Sequence, residues 1–171
     1  FNNFKEIDLK DFKLLYVGRI KVEKGIFSLL KLIKDKDNIS LTIVGAEKNS
    51  PPNINQSNVR IEEIENDKTR LINFYDNHNI FVLPSFTEGH PMSLLEALAR
   101  KRPVVIFEEI KHVIGEKKGI FVSKRNYENF LATVKYIKEN YLKIQEGMKQ
   151  NQLPTNKSFI EEMESLIANL N

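Results

Sequence analysis

Four residues in this chain have types and spacings that could do chemistry. Arg19 and Lys24 stand in the run Gly18-Arg19-Ile20-Lys21-Val22-Glu23-Lys24-Gly25, and Glu88 and Glu96 stand in Glu88-Gly89-His90-Pro91-Met92-Ser93-Leu94-Leu95-Glu96. Arginine presents a planar fork of donors to phosphate oxygens, and lysine a compact point charge. Carboxylates accept hydrogen bonds from neighbouring hydroxyls such as those of a sugar. A nucleotide-diphosphate sugar carries both kinds of group and would engage the whole set. Each residue also has an ordinary alternative. Arg19 and Lys24 are two of 26 cationic side chains. Glu88 can simply favour a positive helix end, and Glu96 can pair with Arg100 four residues on.

Both motifs follow strand-like runs. Lys13 to Val17 is a compact apolar segment closed by Gly18, and Ile80 to Leu83 is another, closed by Pro84. Further strands are expected at Ser40 to Val44, Val59 to Ile64, Val104 to Phe107 and Ile120 to Val122. Between them, helical apolar spacing covers Ile26 to Lys34, Thr69 to Tyr75, a segment from Pro91 to about Lys101, and Tyr127 to Tyr141 as one long helix. Ser158 to Leu170 reads as a last helix, capped by Asn156 or Ser158. Glu47 to Asn58, with Pro51, Pro52 and a cluster of asparagines, reads as a loop. Strands alternating with helices, and unbroken runs such as Ile80-Phe81-Val82-Leu83, predict a doubly wound, mostly parallel, Rossmann-like α/β sheet covered on both faces. In such sheets ligands bind beyond the carboxyl ends of the strands, where both motifs lie.

Pro91 suits the first turn of the third helix, where its missing N–H costs nothing. Met92, Leu95, Leu98 and Ala99 then share one face, with the first three expected in the core. Ser93, Glu96 and Arg100 share another face, and Glu96 is expected to point away from the core. Open N–H groups from Gly89 to Ser93 offer donors to a phosphate or a hydroxyl. His90 either donates to such a ligand or caps the helix, in preference to acid–base chemistry.

The bulk composition excludes more than it selects. A chain of 171 residues with 41% hydrophobic and 29% charged residues is ordinary globular protein, long enough for one real core. A net charge of +3 does not argue for nucleic acid, and the absence of cysteine removes disulfides and thiol chemistry. No apolar run is long enough to span a bilayer. His78 and His112 have no partners at metal-ligand spacing, and no Ser-His-Asp set, Walker loop or GxGxxG fingerprint occurs.

At these residues the chain resembles the C-terminal half of the retaining, GT-B-fold glycosyltransferases of group 1. The resemblance runs through Leu14 to Gly25, Leu41 to Gly45, Ile80 to Ala99 and Pro103 to Val105, and Glu88 and Glu96 match the family's E-x7-E pattern. It implies that Arg19 and Lys24, with Gly18 beside them, bind the donor diphosphate and offset charge on the leaving nucleotide. It implies that Glu96 binds the ribose hydroxyls, and that Glu88 and the backbone of Gly89, His90, Pro91, Met92, Ser93 and Leu94 hold the donor sugar and phosphates. Ile64 would lie at the base pocket. The family uses a nucleotide-sugar donor and generally needs no metal or other cofactor.

The resemblance also places residues 1–12 as the remnant of an interdomain linker, 13–155 as the nucleotide-sugar domain and 156–171 as a C-terminal helix. It implies an N-terminal domain on the same polypeptide as the partner of this half, which would carry any contact with the cell membrane from the cytoplasmic side. Two positions depart from the family pattern. Lys101-Arg102 replaces a glycine before the strand at Val104, and Glu63 replaces another. Two alternatives come from other classes. One is a non-catalytic interaction module using Arg100 to Arg102 and Lys117-Lys118 as its contact surface. The other is a GT-B-fold epimerase or phosphorylase, the latter with a lysine-bound pyridoxal cofactor.

Overall fold

A computed structural model describes residue 9 and residues 12–47 and 54–154 of the chain. The expected helix at Ser158 to Leu170 and most of the expected linker lie outside the described residues. The strands are β1 (Lys13–Val17), β2 (Ser40–Ala46), β3 (Val59–Glu63), β4 (Ile80–Leu83), β5 (Val104–Phe107) and β6 (Ile120–Ser123). The helices are α1 (Ile26–Ile33), α2 (Lys68–Asp76), α3 (Met92–Ala99), α4 (Tyr127–Glu139) and α5 (Tyr141–Met148). All six strands form one parallel sheet in the order β3-β2-β1-β4-β5-β6. The expected doubly wound α/β fold is therefore observed.

Alternation along each strand explains why the apolar runs are unbroken. Leu14, Tyr16, Ile80, Val82, Val105 and Phe107 face one layer, packed against Leu29, Leu30 and Ile33 of α1 and Phe130, Val134 and Ile137 of α4. Leu15, Phe81, Leu83, Val104 and Ile106 face the other, against Tyr75 of α2, Leu94 to Leu98 of α3 and Met148 of α5. A strand wet on one face would need a polar residue at every second position; these need none. Each fully buried Leu or Ile contributes about 1.5–3 kcal/mol.

The topology also fixes where a crevice opens. From β1 the chain winds outward through β2 and β3, then returns to lay β4 on the other side of β1. At this reversal the helices that follow β1 and β4 go to opposite faces, α1 to one layer and α3 to the other, the place where parallel sheets bind ligands.

The helix expected from Tyr127 to Tyr141 is broken. Asn140 leaves helical geometry at φ −113°, and both its backbone N–H and its side-chain amide donate to the Tyr136 carbonyl. Such local side-chain bonds compete with helix continuation. The chain restarts as α5, which runs along the amino edge of the sheet. There Tyr141 Oη donates to the Asn79 carbonyl at 2.7 Å, ahead of β4. Gln145 donates to the Lys101 carbonyl at 2.9 Å, ahead of β5. Asn151 exchanges two bonds with the backbone of Lys118, at 2.7 and 2.8 Å, ahead of β6.

Two departures from expectation concern the end of α3. Lys101 adopts φ +53°, the left-handed conformation where the family pattern has glycine. Its N–H bonds the Leu98 carbonyl and that of Arg102 bonds Ala97, so the Schellman closure forms without glycine. Arg100 and Arg102, expected as a contact surface in the interaction-module reading, are only 8% and 1% exposed. Both turn inward to Asp76, Arg100 through Nε at 2.8 Å and Nη2 at 2.5 Å, while Arg102 reaches the Tyr75 carbonyl at 2.8 Å. Arg100 thus forms an ion pair with Asp76.

Candidate active site at the carboxyl edge

Two glycines weld three strand ends together. Gly25 closes the 3-10 turn Val22–Lys24 that follows β1, at φ +65°. A Cβ placed there would lie 1.8 Å from the Pro84 carbonyl oxygen, so the β1 loop can rest against the β4 loop only because Gly25 has no side chain. Gly45 does the same between β2 and β1: its Cβ would meet the Gly18 carbonyl oxygen at 1.9 Å. The N–H of Gly18 bonds the Val44 carbonyl at 3.0 Å, and the N–H of Phe86 bonds the Glu23 carbonyl at 3.1 Å.

This packing brings the two sequence motifs into contact. Lys24 Nζ lies 2.7 Å from Glu88 Oε1, with side-chain exposures of 24% and 9%. Ser85 Oγ donates to the same oxygen at 2.7 Å. Oε2 of Glu88 takes no bond from the described residues and remains an open acceptor. The backbone of Glu88 is also held, its carbonyl 2.8 Å from Nε2 of His112.

Arg19 stands exposed on the same loop, and its carbonyl accepts the Tyr16 hydroxyl at 2.8 Å. Burial first, and then the charge of Glu88, push the Tyr16 phenol well above the ordinary tyrosine range, which keeps it a donor. Tyr16 thus reaches from the core to fix the backbone that carries the guanidinium.

Glu96 is arranged like Glu88. One oxygen, Oε2, accepts the Tyr75 hydroxyl at 2.7 Å, and the other takes no bond from the described residues. Burial, with Glu96 second, raises the Tyr75 phenol far above its usual range, so it also stays protonated. Each carboxylate therefore has one anchored oxygen and one uncommitted oxygen.

The rest of the expected set divides. Pro91 is the N-cap of α3 rather than its first residue, and no side chain caps the helix, so His90 stands exposed without the capping role. Gly89 is exposed and Ser93 half-buried at the helix start. Met92, expected in the core, is 59% exposed in the first turn of α3. Leu94 is buried in the core, and its N–H is taken by the Pro91 carbonyl. Ile64 follows β3 with its side chain 48% exposed and its N–H on the Ala46 carbonyl.

Arg125, just past β6, was not expected at the site at all. Its guanidinium lies between the rings of Phe86 and Phe107, 4.3 and 4.2 Å from their centroids. It forks onto Glu109 at 2.8 and 3.1 Å and reaches the Ser85 carbonyl at 3.5 Å. That fork holds the Glu109 carboxyl below the usual carboxylate range. No local motif marks Arg125; the only sequence signal is its position after a carboxyl-end strand.

The pattern of the family described as glycosyl transferases group 1 matches residues 1–153. The chain belongs to this family. Among the relatives of this group 1 domain is the capsular polysaccharide biosynthesis glycosyltransferase CapM of Staphylococcus aureus, 30% identical over 135 residues that cover 69% of this chain and 34% of CapM. An uncharacterized glycosyltransferase of Haemophilus influenzae is 32% identical over 130 residues and is covered to 36%. The chain thus spans about a third of the length of these relatives. Among solved structures, the sucrose-phosphate synthase of Thermosynechococcus elongatus superposes with a TM-score of 0.74 at 17% identity, over 95% of this chain and 46% of that one. That likeness shows a shared Rossmann-like α/β fold, the C-terminal half of a GT-B architecture. Among the described residues no helix is long and apolar enough to cross a membrane, and no three His, Asp or Glu side chains gather as a metal-ligand set.

Proposed function

We propose that this group 1 domain binds the donor of a retaining, nucleotide-sugar-dependent glycosyltransferase that builds cell-surface polysaccharide. The observation that supports the reading is the contact of Lys24 with Glu88 across the β1–β4 reversal, a cation of the kind that suits phosphate beside a carboxylate of the kind that suits sugar hydroxyls. Arg19 and Lys24 take the diphosphate and, as the bond from the anomeric carbon to phosphate breaks, offset the charge that develops on the leaving nucleotide. Glu88, anchored by Lys24 and Ser85 through Oε1, accepts a sugar hydroxyl with Oε2. Glu96, anchored by Tyr75, accepts the ribose hydroxyls with its other oxygen. The N–H groups around Gly89 to Ser93, at the start of α3 where no side chain caps the helix, supply neutral donors to the phosphates. Ile64, exposed beyond β3, would take the base. The capsular assignment of the relative CapM supports the polysaccharide destination.

Titration calorimetry with UDP, GDP and ADP and their hexose conjugates tests the reading. Arg19→Ala and Lys24→Ala should each weaken diphosphate binding by about 1.5–3 kcal/mol, the scale of charge-assisted hydrogen bonds. Unchanged affinity in both variants would remove the phosphate role.

A further inference from the structure

We infer that Arg125 is a positioning residue for sugar recognition, holding the Glu88 carboxylate in place through the loop 84–88. The inference rests on the reading of Glu88 given above. The loop is gripped from two sides. On the β1 side, Glu23 holds the Phe86 N–H and Lys24 holds Glu88 Oε1. On the β6 side, Arg125 covers one face of the Phe86 ring and touches the Ser85 carbonyl, while His112 holds the Glu88 carbonyl. Ser85 links the two grips, since its carbonyl meets Arg125 and its hydroxyl meets Glu88.

The chemistry of Arg125 suits this task better than ligand contact. Its side chain is 16% exposed, and its Nη1 is buried without a partner, so the group faces protein. A guanidinium can stack on two rings while its edge forks onto a carboxylate, which a lysine cannot do. The bidentate bond that Arg125 donates to Glu109 fixes the plane of the guanidinium, and that plane fixes the tilt of Phe86. Phe86 is 42% exposed, too much for burial alone to set its position, so the stacked cation supplies the restraint.

The test compares affinity for a bare nucleoside diphosphate with affinity for its hexose conjugate, using UDP, GDP and ADP against UDP-glucose, GDP-mannose and ADP-glucose. Arg125→Met should reduce the preference for the conjugate by about tenfold, the effect of misplacing one charged hydrogen-bond acceptor. Affinity for the bare diphosphate should stay within about threefold, because Arg19 and Lys24 lie on the other loop. Arg125→Lys should recover part of the preference, and Glu109→Gln, which loosens the fork at a partly exposed group, should lower it in the same direction. Glu109→Gln carries the test if Arg125→Met does not fold.

Adding Arg125→Met to Glu88→Gln should change the preference no further, since both act through one carboxylate. Parallel loss for diphosphate and conjugate, additive effects in the double variant, or an unchanged preference would each overturn the inference while leaving the donor-binding reading intact. Wild-type protein that binds none of these compounds would overturn both.

Discussion

Gly25→Ala should separate the two loops that make the site. Alanine at φ +65° costs about 1–2 kcal/mol in the left-handed region. Its Cβ would sit 1.8 Å from the Pro84 oxygen and 2.7 Å from the Pro84 carbonyl carbon, both backbone atoms that cannot rotate aside. Real Cβ atoms essentially never come within 3.0 Å of such a neighbour, so the loops must part by more than an ångström. That opening exceeds the reach of the 3.1 Å Phe86–Glu23 bond and strains the 2.7 Å Lys24–Glu88 pair. Overpacking of this kind adds about 1–3 kcal/mol, for a combined loss of about 2–5 kcal/mol. On the donor-binding reading proposed above, parting Lys24 from Glu88 should also weaken binding of the nucleoside diphosphate and its hexose conjugate by about tenfold.

Urea unfolding measures the stability, and calorimetry with the nucleoside diphosphate measures the site. Gly89→Ala is the control, because a Cβ there meets nothing within 4 Å and its stability should match wild type. Gly25→Asn separates the causes, since asparagine tolerates the left-handed backbone but keeps the Cβ. If Gly25→Asn were as stable as wild type, the steric reasoning would be refuted. If Gly25→Ala unfolded within about 0.5 kcal/mol of wild type, both parts would fail.

Lys101→Gly should raise stability by about 1 kcal/mol in the same urea assay, because φ +53° strains a lysine and not a glycine. Asp76→Ala should cost about 3–5 kcal/mol by leaving the Arg100 and Arg102 charges buried without their carboxylate. His78 gives a pH signature. It is buried, bonding the Phe74 carbonyl through Nδ1 and Thr42 Oγ1 through Nε2, and burial lowers its pKa from 6.5. The folded state therefore binds this proton less readily than the unfolded state. The stabilising contribution is present above pH 6.5 and is lost as pH falls below it. Thermal midpoints measured across that range should fall less steeply in His78→Gln than in wild type.

Most of the sheet was legible because a strand buried on both faces leaves an unbroken apolar run, as at Ile80 to Leu83 and Val104 to Phe107. The convergence of the motifs was legible for the same reason: each follows such a run, and parallel strands all end on one edge. Contacts between distant segments were not. Nothing local to Glu96 points to Tyr75, twenty-one residues away, and nothing local to Arg125 points to Phe86 on a different loop. Met92 continues the apolar spacing of α3, but it is the first residue of the helix, where spacing cannot tell a buried side chain from an exposed one. The break at Asn140 depends on two bonds to one carbonyl, and the start of α5 was hidden by the helical pattern that continues through it. The spacing of Tyr141, Ile144 and Met148 was the signal available for that helix.

The run of α5 along the amino edge has a mechanical consequence. Tyr141 lies in one apolar layer, Met148 in the other, and Ile144 touches both, so this one helix plugs the open end of the sandwich like a cork. A chain shortened at Glu139 would let water into both layers at once and free the backbone ahead of β4, β5 and β6, at the opposite rim from the loops that carry Lys24 and Glu88. Tension applied beyond Asn151 would be borne by these stitches and would unzip them singly, from β6 toward β4, before any load reached the crevice.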